Sequence, residues 1–305
     1  MTKKYNQNIS DYIEPYYING LESRMLKTDS RTTKRKNILF VYDLLDSLEN
    51  SWELINDLRN FGHVSSVDLP GIGGMNSFYS IGYRPTIDNY ADFLATFVKL
   101  RFKRGKIILV GKGFGFAVIT RMLQKYPEIR KRTTTVLSIN GHVHNNDFNI
   151  NKTKIDLFKF VYKFMAIKPM AYTSKKLFSN SFIYQKLNNK LLMKFLIYGV
   201  LNIEKDINSI KELFKKCDPS THWLLVEQLL ALDNCQHRLN IKLLHVYYDN
   251  ELINHSTQRQ HFQVSYKSYK EYKMIPSKAK EPEHTHSKNV ILPKPLRRVL
   301  ANAKA

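Results

Sequence analysis

The stretch "KIILVGKGFGFAVITRML", residues 106–123, holds the residues whose types and spacing point most directly to chemistry. An apolar run ends in Gly111-Lys112-Gly113-Phe114-Gly115, and a second run with helical apolar spacing follows. A strand that reverses into a helix through glycines can cradle a phosphate on the helix N-terminus, hold a nucleophile on a strained corner, or serve as a tight corner only. A dinucleotide fingerprint needs G-x-G-x-x-G, but Phe116 stands at the third glycine position, and the next apolar run ends at Asn140 where an acidic residue is expected. A Walker A loop would need longer spacing and a Lys-Ser/Thr pair, which are absent. In the nucleophile pattern G-x-S-x-G the central residue carries the attacking oxygen. Here that residue is Gly113, which has neither hydroxyl nor thiol and cannot form a covalent acyl intermediate. Glycine does tolerate the strained backbone of such a corner.

Other residues of chemical interest lie nearby in sequence or in expected position. Lys112 could hold an anion at the helix N-terminus, where backbone N–H groups already favour negative charge. "NGHVHNND" sets His142, His144 and Asp147 on one loop. Metal binding is conceivable there, but solvated loop residues are the simpler reading. His255 and His261 fall on a surface helix, and Ser138 lies within or at the end of a strand, a poor place for a nucleophile. The two cysteines, Cys217 and Cys235, make neither a disulfide framework nor a zinc site on their own. No cofactor and no metal are called for.

The elements that must position these residues alternate. Asn19-Gly20 sits between two short β-prone runs, as a hairpin turn does. Strands are expected at about 37–42, in "HVSSVDLPGIGGM" up to Asp68, at the run before Gly111, and in "TTTVLSINGH" up to about Asn140. Helices are expected over "SWELINDLRN" and "TIDNYADFLATFVKL". From 148 to 236 the periodicity is helical only. Strand signals resume with "IKLLHVYYD" and "YKEYKMIP", and "PLRRVLANA" reads as the last helix. The expectation is an α/β fold: an eight-stranded, mostly parallel sheet flanked by helices, with an antiparallel hairpin at its start. Residues 1–147 and 237–305 form the core, and 148–236 form an inserted helical cap.

In this order and spacing the sequence resembles the α/β-hydrolase superfamily over most of 15–147 and 237–300. "NILFVYDLLDSLENSW" is similar to the strand and loop where that family usually has His-Gly-x-Gly. "VSSVDLPGIGGM" is similar to its D-x-P-G-x-G-x-S stretch, and Gly111–Lys112–Gly113–Phe114–Gly115 stands at its nucleophile elbow. "LDNCQHRLNIKLLHVYYDNEL" resembles the approach to the strand that bears the catalytic acid. The resemblance implies a serine hydrolase ancestry for esters or related acyl compounds, and it implies site positions. Gly113 takes the nucleophile position without function. The oxyanion and ligand region takes Tyr42, Asp43, Lys112, Phe114 and His142. The acid position takes Asp249 or Glu251, although the closest register places Asn250 there. The base falls in "PSKAKEPEHTHSKN", at His284 or His286, with Lys280 at one matching spot. Tyr42-Asp43 replaces His-Gly, and a carboxylate at that point disfavours a developing oxyanion.

The chain has 305 residues, 43% of them hydrophobic, and a formal net charge of +22. It is long enough for a sizeable core. The charge invites an anionic partner, although Lys- and Asn-rich composition alone also produces it. No zinc-finger spacing, RNP1-like segment or clear helix-turn-helix supports specific nucleic-acid binding. Residues 151–200 contain ten lysines and one aspartate, Asp156, interleaved with Phe, Tyr, Leu and Met. "KTKIDLFKFVYKFMAIKPM" has the make-up of a helix lying at a membrane interface or of a lid with a solvated lysine face. The N-terminus has no apolar signal region and no stretch spans a bilayer, so a cytoplasmic protein, peripheral to a membrane at most, is expected. Three functions stay open: a non-catalytic or altered homologue binding a small apolar or anionic ligand, a hydrolase with an atypical mechanism, and a basic cap docking on an anionic membrane surface or nucleic acid.

Overall fold

A computed structural model describes residues 9–33, 36–179, 207–248, 253–274 and 292–302. Eight strands form a single sheet: β1 (Ile13–Ile18), β2 (Leu21–Thr28), β3 (Asn37–Val41), β4 (His63–Val67), β5 (Ile107–Lys112), β6 (Thr133–Ile139), β7 (Leu239–Tyr247) and β8 (Tyr266–Lys273). Their order is β1-β2-β4-β3-β5-β6-β7-β8. β1 and β2 pair antiparallel, as do β2 and β4, and every later pair is parallel. The expected hairpin turns on Asn19 and Gly20, with φ of 51° and 80°, as a two-residue turn with both central residues left-handed requires.

Helices cover both faces, which is why the central strands read as continuous apolar runs. α1 (Trp52–Leu58), α2 (Ile87–Arg101), α3 (Phe114–Lys125) and α4 (Pro127–Arg132) fill the connections up to β6. α2 starts where Thr86 Oγ1 accepts the Asn89 N–H at 3.1 Å. Between β6 and β7 lie α5 (Lys152–Met165), α6 (Lys168–Ser179), α7 (Ile207–Lys216) and α8 (Pro219–Leu230). α8 begins with Asp218 accepting the Thr221 N–H at 2.8 Å and Pro219 in the first turn. It is buried along most of its length and fastened to the loops of the sheet: Thr221 meets Ser77 at 2.7 Å, and Gln228 accepts the Ile87 N–H at 2.9 Å. α5 and α6 rest on α8 through Tyr162, stacked on Trp223 with ring centroids 5.8 Å apart, and Ser174, which accepts the Trp223 indole N–H at 2.9 Å.

α9 (His255–Ser265) runs straight into β8, which therefore begins at Tyr266, ahead of the expected "YKEYKMIP". The Leu239–Tyr266 pairing with β7 draws these residues into the sheet. α10 (Lys294–Asn302) closes the described chain.

Candidate functional site

The site is set by two neighbouring strands. β3 and β5 run parallel with Val41 opposite Gly111, so two residues further on Asp43 arrives beside Gly113. The corner at Gly113 has φ 48° and ψ −117°, a conformation L side chains rarely adopt. Its N–H donates to the Ile139 carbonyl of β6 at 3.0 Å. The flanking glycines are demanded by space. A Cβ at Gly111 would lie 2.5 Å from Phe116 Cα, and one at Gly115 would lie 2.4 Å from the Val41 carbonyl oxygen.

At Gly113 the obstacle is a carboxylate. A Cβ there would fall 2.1 Å from Asp43 Oδ2 and 2.4 Å from Oδ1. The Asp43 side chain thus occupies the space that a side chain on the corner residue would use. Oδ1 accepts two backbone N–H groups, from Phe114 and from Leu44, both at 2.8 Å. One belongs to the residue after the corner, the other to the loop after β3. Two backbone N–H groups thus converge on one anionic oxygen, a donor pair of the kind that can stabilise negative charge. Asp43 fills it with the protein's own negative charge and in doing so caps α3, whose first turn favours an anion.

The loop that carries Asp43 is held from several directions. Asp46, on the same loop, is fully buried and pairs with Lys112 at 2.8 Å. Burial alone would pull the Lys112 ammonium down, but Asp46, helped by Asp43, holds it above its usual value. The lysine is therefore engaged by a carboxylate of the protein itself. Glu49, further along the loop, binds Arg24 of β2 at 2.5 Å. Arg24 also binds buried Asp68 at 2.6 Å. Burial pushes the Asp68 carboxyl up to about 6, with Arg24 only partly reversing it.

Tyr42 turns away from the corner. Its hydroxyl donates to Asp68 at 2.9 Å and accepts the Leu69 N–H at 3.0 Å, so it ties β3 to the end of β4. Phe114 gives its N–H to the site, while its ring packs edge-on against Tyr90 in the core. His142 is buried, edge-on to Phe148, and its Nε2 has no hydrogen-bond partner among the described residues. Burial holds it below the usual histidine range, hence neutral, although the charges of Asp147 and Asp43 act on it in the opposite sense.

The other sequence candidates fall elsewhere. Asp147 is buried, accepts the N–H groups of Val143 and His144, and binds His261 Nδ1 at 2.5 Å. The His144 and His261 rings face each other at 4.3 Å. Among the described residues no group of three or more His, Cys, Asp or Glu is arranged to hold a metal ion. Ser138 is buried within β6, 3.0 Å from His245 Nδ1 of β7. His255 is half-buried on α9 against Tyr247. Asp249, Asn250, Glu251, Lys280, His284 and His286 lie outside the described residues. Sequence reasoning did not foresee the Asp46–Lys112 pair or the Asp43 contacts with Phe114 and Gly113. The trace in the sequence is the carboxylate of Asp43 two residues past β3, set against a glycine immediately past β5.

No protein-family model and no curated protein matches the sequence. Solved structures match the fold. The enol-lactonase from Burkholderia xenovorans LB400 is similar with a TM-score of 0.60 at 13% identity, over 86% of this chain and 91% of that one. A thermophilic esterase from Thermogutta terrifontis gives 0.56 at 14% identity, over 86% and 88%. The N-formylmaleamic acid deformylase from Pseudomonas putida S16 gives 0.57 at 12% identity, over 86% and 91%. The chain has the α/β-hydrolase fold, with the sheet order and the strand–corner–helix at β5 described above.

Proposed function

We propose that this chain is a non-catalytic α/β-hydrolase-fold protein in which Asp43 has closed the site where acyl transfer would occur. The observation that carries this reading is the Asp43 carboxylate, held by the Phe114 and Leu44 N–H groups and lying where a nucleophile's side chain would stand. Acyl transfer needs an attacking oxygen at the corner and vacant donors for the developing oxyanion. Neither requirement is met: Gly113 supplies no oxygen, and both donors are occupied. Lys112, already paired with Asp46, adds no open anion site.

A second reading has its own observation. With Oδ1 in the two donors, Oδ2 is the atom nearest the vacant nucleophile position. A carboxylate so held could attack a carbon of an epoxide: the ester C–O bond forms as the ring C–O bond breaks, the ring oxygen leaves as an alkoxide that takes a proton from water, and the ester carbonyl stays in the donors.

The deciding experiment compares wild type, Gly113→Ser and Asp43→Gly/Gly113→Ser in an ester panel, with a fluorophosphonate label and an epoxide. The proposal expects wild type to be silent throughout, the single variant to resist labelling, and the double variant to take the label at its new hydroxyl. Ester turnover by pure wild type would overturn it. An epoxide adduct mapped to Asp43 by mass spectrometry would replace it with the second reading.

A further inference from the structure

α5 and α6 carry a surface that the elbow does not explain. On α5 the inward face is Ile155 and Tyr162, backed by half-buried Phe158 and Met165. The same helix displays Leu157, Phe160 and Phe164, continued by Ile167 in the turn, each half or more exposed and Phe160 as much as 72%. Positions 157, 160, 164 and 167 follow the spacing of one helix face. Residue 157 lies about 200° around the helix from 155, so this second apolar stripe points away from the core. α6 adds exposed Met170 and Leu177, which share one side of that helix. Soluble surfaces scatter single apolar residues, whereas a contiguous set of this size marks an interaction site.

The charges around it select the partner. Lys152, Lys154, Lys163, Lys168 and Lys176 are exposed on the same two helices, and Asp156 is the one acidic residue they carry. On α5, Lys152, Lys159 and Lys163 cluster between the two apolar stripes, at the flank of the outward one. An apolar stripe edged by lysines is the pattern of a helix that lies in the headgroup region of an anionic bilayer, where apolar side chains insert and lysines meet lipid phosphates. Nucleic acid offers nothing to Leu157 and Ile167. Among the described residues no helix is long and apolar enough to cross a membrane, so the contact is with the surface.

We infer that α5 and α6 dock this protein on an anionic membrane surface through Leu157, Phe160, Phe164 and Ile167. The inference is independent of whether the elbow is catalytic.

The test is co-sedimentation of the full chain with vesicles of pure phosphatidylcholine and of equimolar phosphatidylcholine and phosphatidylserine. Wild type is compared with Phe160→Ser/Phe164→Ser and Lys154→Glu/Lys163→Glu. All these positions are solvent-facing, and equal thermal unfolding of the three proteins verifies that the fold is kept. Wild type should sediment with the anionic vesicles far more than with the neutral ones. Added salt should weaken this without abolishing it. Each double variant should lose about tenfold in partitioning. Three results would overturn the inference: no sedimentation of wild type with anionic vesicles; a phenylalanine variant that binds as wild type does, which would assign binding to net charge; or a concentration-dependent wild-type dimer that the phenylalanine variant abolishes, which would make the occupant a second copy.

Discussion

Replacing Gly113 with alanine tests the link between this glycine and Asp43 without any catalytic readout. The added methyl meets two obstacles. The backbone, at φ 48° and ψ −117°, is strained for any residue with a Cβ, at about 1–3 kcal/mol. The Cβ would also lie 2.1 Å from Asp43 Oδ2, so the carboxylate has to leave. Leaving forfeits two hydrogen bonds to a charged group, about 1.5–3 kcal/mol each, although the half-exposed site lets water recover part of this. Gly113→Ala should therefore cost about 3–6 kcal/mol, a large share of the about 5–15 kcal/mol typical of a folded chain. Asp43→Gly removes the obstacle and the hydrogen bonds together. In that background the same alanine should cost only the backbone strain, about 2 kcal/mol less or better. The assay is a double-mutant cycle on urea midpoints with the denaturant slope held constant. If the two substitutions add within about 0.5 kcal/mol, the carboxylate does not occupy the place of the missing side chain, and the reasoning fails.

Two further outcomes are expected. His245 and His222 are buried and pushed down to about 3, and burial lowers His142 as well. Unfolded histidine binds protons below about 6.5, so stability is full above that pH and falls towards pH 3, by about 1.4 kcal/mol per pH unit for each of His245 and His222, with His142 acting in the same direction. Asp68, raised to about 6, acts in the opposite sense between about 6 and 4 but is a single group. The urea midpoint should therefore drop between pH 6.5 and 4, and His245→Asn should flatten the slope; a midpoint that is level or rises on acidification contradicts this. Lys112→Met should destabilise by about 3 kcal/mol by leaving fully buried Asp46 without its cation, and adding Asp46→Asn should restore part of the loss. Equal midpoints for wild type and Lys112→Met would show that the pair has no such role.

The sheet was legible because its signals are local. Asn19-Gly20 announces the hairpin, the apolar runs announce strands covered on both faces, and the glycines around 113 announce the strand–helix corner. β8 was placed late because "YKSYKEYK" has weak alternation, and its start is set by pairing with β7. The site was legible only as an outline. Gly113 already says that no serine attacks, but that Asp43 fills the donors depends on Val41 standing opposite Gly111, a fact of strand register that no local pattern encodes. Tyr42 and Asp43 are adjacent in sequence yet face opposite ways, because successive residues leaving a strand point to opposite sides. On α5 the lysines and aromatics suggested one apolar and one charged face. The helix has two apolar stripes, since Ile155 and Tyr162 already serve the core.

The contact between Asp43 and Gly113 also orders the mutational paths open to this chain. Suppose single substitutions connect it to a sequence with serine at 113 and glycine at 43. The aspartate is compatible with the corner only after the serine has gone, because the two side chains claim one volume. Loss of the hydroxyl must come first and the carboxylate second. Once Asp43 is in place and bound to two N–H groups, the return step to serine at 113 meets the carboxylate, so the two substitutions are not freely reversible in either order.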